Sequence, residues 1–198
     1  MHADDERDDK PEGNDQQRPE GIIDRLSFKS RFVFLFGDIN HTVARTTCER
    51  LVAMAQQSDA PIRVLISSPG GHVESGDTIY DIIRFIKPVV RTVGTGWVGS
   101  IATHIYLAPE KANRYALPNT RFMIHQPAGG AGGPATDIAI QAKEILRTRE
   151  RIARTIAKQT GKAYDKVIAD MERDFWMSPK EAIEYGIVSR IVESYKDI

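Results

Sequence analysis

Short runs of β-branched and aromatic residues alternate along this chain with stretches of helical apolar spacing. Arg31 to Phe36 (RFVFLF), Ile62 to Ile66 (IRVLI), Val89 to Val93, Arg121 to Ile124 and Ile187 to Val192 read as strands. Between the first two lies a helix, His41 to Gln57, with Leu51, Val52 and Met54 on its apolar side. The next helix carries Ile79, Ile82, Ile83 and Ile86 in the i, i+3, i+4, i+7 pattern. A further helix is expected from near Val98, with Ile101, Ile105 and Tyr106. A long charged helix runs from about Thr136 to Thr160, and Gly161 is its stop signal. Lys162 to Met171 reads as another helix. Ser178-Pro179-Lys180-Glu181 has the order of an N-cap, a first-turn proline and a capping-box glutamate. Strand–helix–strand repetition predicts an α/β fold with parallel pairing and right-handed crossovers.

Charge divides the chain in two. The formal net charge is zero, yet residues 1–20 hold eight acidic and three basic side chains. With almost no apolar residues, that segment cannot offset its ordering entropy, and a disordered acidic tail is expected there. Residues 21–198 are expected to form one domain. A neutral chain offers no footprint for nucleic acid. The single cysteine, Cys48, excludes an intrachain disulfide and reads as a small buried apolar side chain. No basic flank followed by an apolar run suggests a secretory signal, and no run is long enough to span a membrane. A cytoplasmic location is the resulting expectation.

Several residues could carry chemistry. Ser67-Ser68-Pro69-Gly70-Gly71 follows a buried strand, where glycines leave backbone N–H groups open to a ligand or simply make a tight turn. Ser100, in Gly96-Trp97-Val98-Gly99-Ser100-Ile101, stands between a strand and a helix, as a nucleophile elbow would place it. An ordinary N-cap serine has the same surroundings, and Ala102 breaks the G-x-S-x-G pattern. His125 ends a strand and is of the type that accepts a serine proton; His104, one helical turn after Ser100, competes for that role. Asp174 follows Glu172-Arg173 between two helices and reads locally as a solvated loop charge. No histidine has metal-ligand spacing with a cysteine or a second histidine, and no metal or cofactor is expected.

SPGGHVESGDTIYDIIRFIKP, RYALPNTRFMIHQP, ATDIAIQAKEIL and ERDFWMS, in that order and spacing, resemble the proteolytic subunit of the Clp protease from about Asp24 to Val192. The resemblance implies the crotonase-like superhelix of ββα units with a protruding strand–helix handle. It also implies a serine endopeptidase with Ser100 as nucleophile, His125 as general base and Asp174 orienting the histidine. The backbone N–H groups of Gly71 and Ile101 correspond to the oxyanion hole, and Gly70, Gly129, Gly130 and Ala131 to substrate-binding backbone. The handle is the long helix from Thr136 and the glycine-rich strand before it; Pro134 and Arg173 fall at inter-ring contacts. Implied partners are peptides and unfolded proteins, copies of the same chain in heptameric rings, and an AAA+ unfoldase.

The chain departs from the family pattern at several points. Gly99 replaces an alanine and Ile101 a methionine beside Ser100, but both oxyanion roles are backbone roles. Trp97 replaces a small residue and is expected to narrow or reshape the side-chain pocket. Pro134 replaces a polar residue in the inter-ring strand and donates no N–H, which predicts looser stacking and readier single rings. Ile62-Arg63-Val64-Leu65 lacks the tyrosine of the unfoldase cleft, although Phe85 is present. A non-catalytic ring subunit and a crotonase-type acyl-CoA enzyme, with Glu74 as its acid/base residue, are the competing readings.

Overall fold

The computed structural model describes residues 19–130 and 132–198. The chain runs α1 (Pro19–Lys29), β1 (Phe32–Phe36), α2 (His41–Gln57), β2 (Ile62–Ser68), α3 (Val73–Phe85), β3 (Val90–Gly99), α4 (Ile101–Tyr106), β4 (Arg114–Ala116) and β5 (Arg121–Ile124). It continues through α5 (Ala135–Thr160), α6 (Tyr164–Asp170), β6 (Phe175–Met177), α7 (Pro179–Tyr185) and β7 (Arg190–Ile191). The acidic segment lies outside the described residues up to position 18. Pro19 and Glu20, expected to belong to it, instead open α1, and Phe28 near the end of that helix packs against the core.

β2 shows why the sheet forms. Ile62, Val64, Ile66 and Ser68 are buried on one face, while Arg63, Leu65 and Ser67 are half-buried on the other. The first face meets the main core, with Leu51 and Met54 of α2, Ile79 and Ile83 of α3 and Ile105 and Tyr106 of α4. The second carries a smaller cluster of Val93, Tyr115 and Val192, against which Leu65 packs. Strand order is β1-β2-β3-β4-β7, all parallel, as the alternating sequence pattern predicts.

β3 is the strand that builds the site. Ile66 pairs with Gly94, but Ser68 pairs with Val98, so β3 carries extra residues and bends there. Gly96 lies in the bend at φ +56, a conformation that favours glycine. Before the bend, Thr92 to Gly94 pairs with β4; beyond it, Trp97 to Gly99 pairs with β5. The second half of β3 thereby starts a side branch that β6 joins antiparallel to β5. The helix expected near Val98 begins only at Ile101, because Val98 and Gly99 are held in this branch.

α5 projects from this body. Among its apolar residues only Ile152, Ala153 and Ile156 are buried, while Ile138, Ile140 and Leu146 stay exposed along the N-terminal half. Gly161 ends it in the left-handed region at φ +77, as its stop signal predicts. The glycine-rich segment before α5 is not a strand among the described residues, since no neighbouring strand of the chain offers it a ladder.

Candidate active site

Ser100 stands where β3 turns into α4, at φ 54 and ψ −127. A non-glycine residue with positive φ is strained and persists only when its surroundings hold it. Its N–H donates to Met123 O at 2.9 Å and its carbonyl accepts from Thr103 N at 3.0 Å. Buried Thr103 clamps the turn from behind, its Oγ1 lying 2.9 Å from both Val98 O and Met123 O. The Ser100 side chain makes no capping bond to α4, so the N-cap alternative fails and the hydroxyl is left for other work.

That hydroxyl points to His125, at the end of β5. Ser100 Oγ lies 2.8 Å from His125 Nε2, and His125 Nδ1 lies 2.9 Å from Asp174 Oδ1. A carboxylate only accepts, so Nδ1 carries the proton and Nε2 is free to accept from the serine. Asp174 is 49 positions away in sequence, and the neighbouring Gln126 brings it in. Gln126 N–H donates to Met171 O at 2.6 Å and its Nε2 to Glu172 O at 3.0 Å, while the β5–β6 pairing secures the far side. His104, the competing histidine, is turned away: its ring stacks on Tyr80 and its Nε2 lies 3.3 Å from Asp77 Oδ1.

Gly70 and Gly71 approach from β2. A Cβ on Gly70 would sit 2.7 Å from Ser100 Cβ and 3.2 Å from Ile101 N, and one on Gly71 would sit 2.3 Å from Ile39 O. Only glycine fits either position, and both have positive φ. Ile39 N–H donates to Gly70 O and His72 N–H to Ile39 O, each at 2.8 Å, which fixes the loop. The N–H groups of Gly71 and Ile101 have no hydrogen-bond acceptor among the described residues.

A small recess beside Ser100 and His125 is lined by Val73, Ile101, Ile124, Pro127, Ile152 and Ile156. It shares Val73 and Pro127 with a groove of about 400 Å³ between Gly71–Glu74, Pro127–Gly130 and α5. Gly129 and Gly130 edge that groove, whereas Ala131 lies outside the described residues. Trp97, expected to narrow or reshape the side-chain pocket, lines neither the recess nor the groove and meets Trp176 with ring centroids 5.5 Å apart and planes tilted by 40°. Arg173 is exposed beside Asp174, and Pro134 caps α5, its carbonyl accepting from Asp137 and Ile138 N–H groups. Among the described residues there is no cluster able to hold a metal ion and no helix long and apolar enough to cross a membrane. The sequence reading gave no role to Thr103, Gln126 or Asp77; Asp77 and Gln126 lie inside the resembling segments SPGGHVESGDTIYDIIRFIKP and RYALPNTRFMIHQP, but only their long-range contacts reveal what they do.

A family model described as Clp protease matches residues 14–195. The ATP-dependent Clp protease proteolytic subunit 3 of Rhizobium johnstonii is 54% identical over 86% of this chain and 88% of its own. Proteolytic subunit 2 of Pseudomonas aeruginosa is 46% identical over 96% of each chain. Among solved structures, ClpP1 from Listeria monocytogenes superposes with a TM-score of 0.81 at 48% identity, covering 89% of this chain and 99% of that one. With the family model spanning nearly the whole chain and relatives this similar, the chain belongs to the Clp protease family of serine peptidases.

Proposed function

We propose that this chain is the proteolytic subunit of a Clp-type protease, with Ser100 as nucleophile, His125 as general base and Asp174 as the residue orienting the imidazole. The unbroken line from Ser100 Oγ through His125 to Asp174 Oδ1, with steps of 2.8 and 2.9 Å, carries the reading. Ser100 Oγ attacks the peptide carbonyl carbon while its proton passes to His125 Nε2. Asp174 accepts from Nδ1–H and stabilises the imidazolium that forms. The unpartnered N–H groups of Gly71 and Ile101 receive the developing oxyanion. Nε2–H then protonates the leaving amine, giving an acyl-serine. His125 next deprotonates water, which cleaves the ester and returns the proton to Ser100.

Substrate lies extended along Gly129 and Gly130, bound through main-chain contacts. Side chains of the substrate lie in the groove of about 400 Å³, because the recess beside Ile124, Ile152 and Ile156, at about 20 Å³, holds no more than a water molecule. The peptidase step itself needs no nucleotide. Folded proteins reach it through an AAA+ unfoldase, and rings of seven copies enclose the sites in a chamber in the cytoplasm. Phe85, 82% exposed at the end of α3, supplies apolar surface for the unfoldase. Pro134 and Arg173 sit at the ring-to-ring contact, and the missing N–H of Pro134 favours single rings; sedimentation that finds only stable double rings refutes that point.

A fluorophosphonate with adduct mapping tests the chemistry. Labelling at Ser100, abolished in His125→Ala, is the expected result. An unlabelled Ser100 in every oligomeric state returns the protein to the non-catalytic or acyl-CoA readings. The latter has little support, since Glu74 contacts His72, at 3.2 Å, rather than Ser100.

A further inference from the structure

α3, α4 and α5 meet at one carboxylate. Asp77 of α3 accepts two bonds from Arg151 of α5, at 2.7 and 2.6 Å, and its Oδ1 lies 3.3 Å from His104 Nε2 of α4. His104 is 2% exposed, its ring stacks on Tyr80 at 4.4 Å between centroids, and its Nδ1 has no partner among the described residues. Asp77 is therefore the one polar tether of that ring among the described residues. Burial pushes the Asp77 carboxyl up, but contacts from His104 and Arg151 outweigh it and hold it at about 2.

Each partner stands a step from the reacting groups. Gly76, next to Asp77, lets α3 and α4 touch: a Cβ there would lie 2.2 Å from Ile101 Cγ1. α4 has six residues, with Ile101 at its start and His104 in its second half, so a shift at one end is felt at the other. Ser100, immediately before it, sits at φ 54 with no side-chain cap and depends on α4 being held. Arg151 precedes Ile152, which with Ile156 walls the recess beside Ser100 and His125.

We propose that Asp77 is a positioning residue for the peptidase reaction: by holding His104 and Arg151 it keeps α4, and with it Ser100 Oγ and the Ile101 N–H, in register with the α5 wall. The inference rests on Ser100 being the nucleophile. Its removal acts on turnover, because Asp77 lines neither the recess nor the substrate groove.

The test compares Asp77→Asn and Arg151→Gln with the unaltered full-length protein on a fluorogenic peptide. Turnover is expressed per fluorophosphonate-titrated Ser100, so that misfolded molecules do not count. In both variants kcat per titrated site falls about tenfold, KM stays within about twofold, and the double variant is no worse than the poorer single. Should Asp77→Asn not fold, Arg151→Gln, altered at a side chain that is 48% exposed, carries the same measurement. Unchanged kcat per titrated site, with Ser100 labelled normally, overturns the inference and leaves the peptidase reading intact. Absence of label at Ser100 in the unaltered protein overturns the peptidase reading, and this inference falls with it.

Discussion

Gly70 places a main chain against the nucleophile where no side chain fits. At φ +109, with a would-be Cβ 2.7 Å from Ser100 Cβ and 3.0 Å from Gly99 O, alanine is both strained and in collision. The collision partners are the turn itself, so relief must come by moving Ser100. A misplacement of about 1 Å costs on the order of 100-fold in rate, and Gly70→Ala should lower kcat/KM on a fluorogenic peptide by about that factor. Circular dichroism should stay unchanged, because Gly70 lies outside every helix and strand. A different single residue works only for stability. Arg31, at φ 60 and 8% exposed, donates to the carbonyls of Met54, Ser58, Ala60 and Pro61 at 2.6 to 3.3 Å. It staples the loop between α2 and β2 to the start of β1. Arg31→Met keeps much of the stem but strands those carbonyls, and should cost about 3 kcal/mol in urea unfolding.

At the scale of elements, α7 begins as its sequence dictates. Ser178 Oγ accepts from Glu181 N–H at 3.3 Å and Glu181 Oε2 accepts from Ser178 N–H at 2.7 Å. Ser178→Ala removes half of that box and should cost about 1 kcal/mol, read as a Tm lower by about 3 °C in calorimetry. Elements of this kind were legible beforehand. The bounds of α2 and β5 follow from apolar spacing alone, and Gly161 marks the end of α5. β4 and β6 were not legible: at three residues each, neither can show a period, and both exist because β3 and β5 offer them ladders. The extension of β3 to Gly99 was hidden by the glycines around its bend. The site divides in the same way. Ser100 and His125 lie at strand ends, where local reading can suspect them. Asp174 becomes a partner of His125 only through Gln126 and the β5–β6 pairing, so the family resemblance, not local pattern, supplied it.

For the molecule as a whole, the Asp77 cluster ties α5 to the body from which it projects, and its charge makes that tie depend on pH. The Asp77 carboxyl is lowered from 3.8 to about 2 in the folded chain, because contacts from His104 and Arg151 outweigh its burial. A depressed carboxyl stabilises the fold fully above its unfolded value and loses that contribution as pH falls through the folded one. The window therefore runs from about pH 4 down to about pH 2, and about half of the contribution is gone by pH 3. Asp77→Asn cannot titrate, so it isolates the effect. Urea unfolding should find the variant less stable than the unaltered protein at pH 5. The gap between the two should narrow steadily as pH drops toward 3. A gap that stays constant over that range would place the stabilisation in packing around His104 and Tyr80 rather than in the charge on Asp77. A gap that widens on acidification would contradict the depressed carboxyl itself.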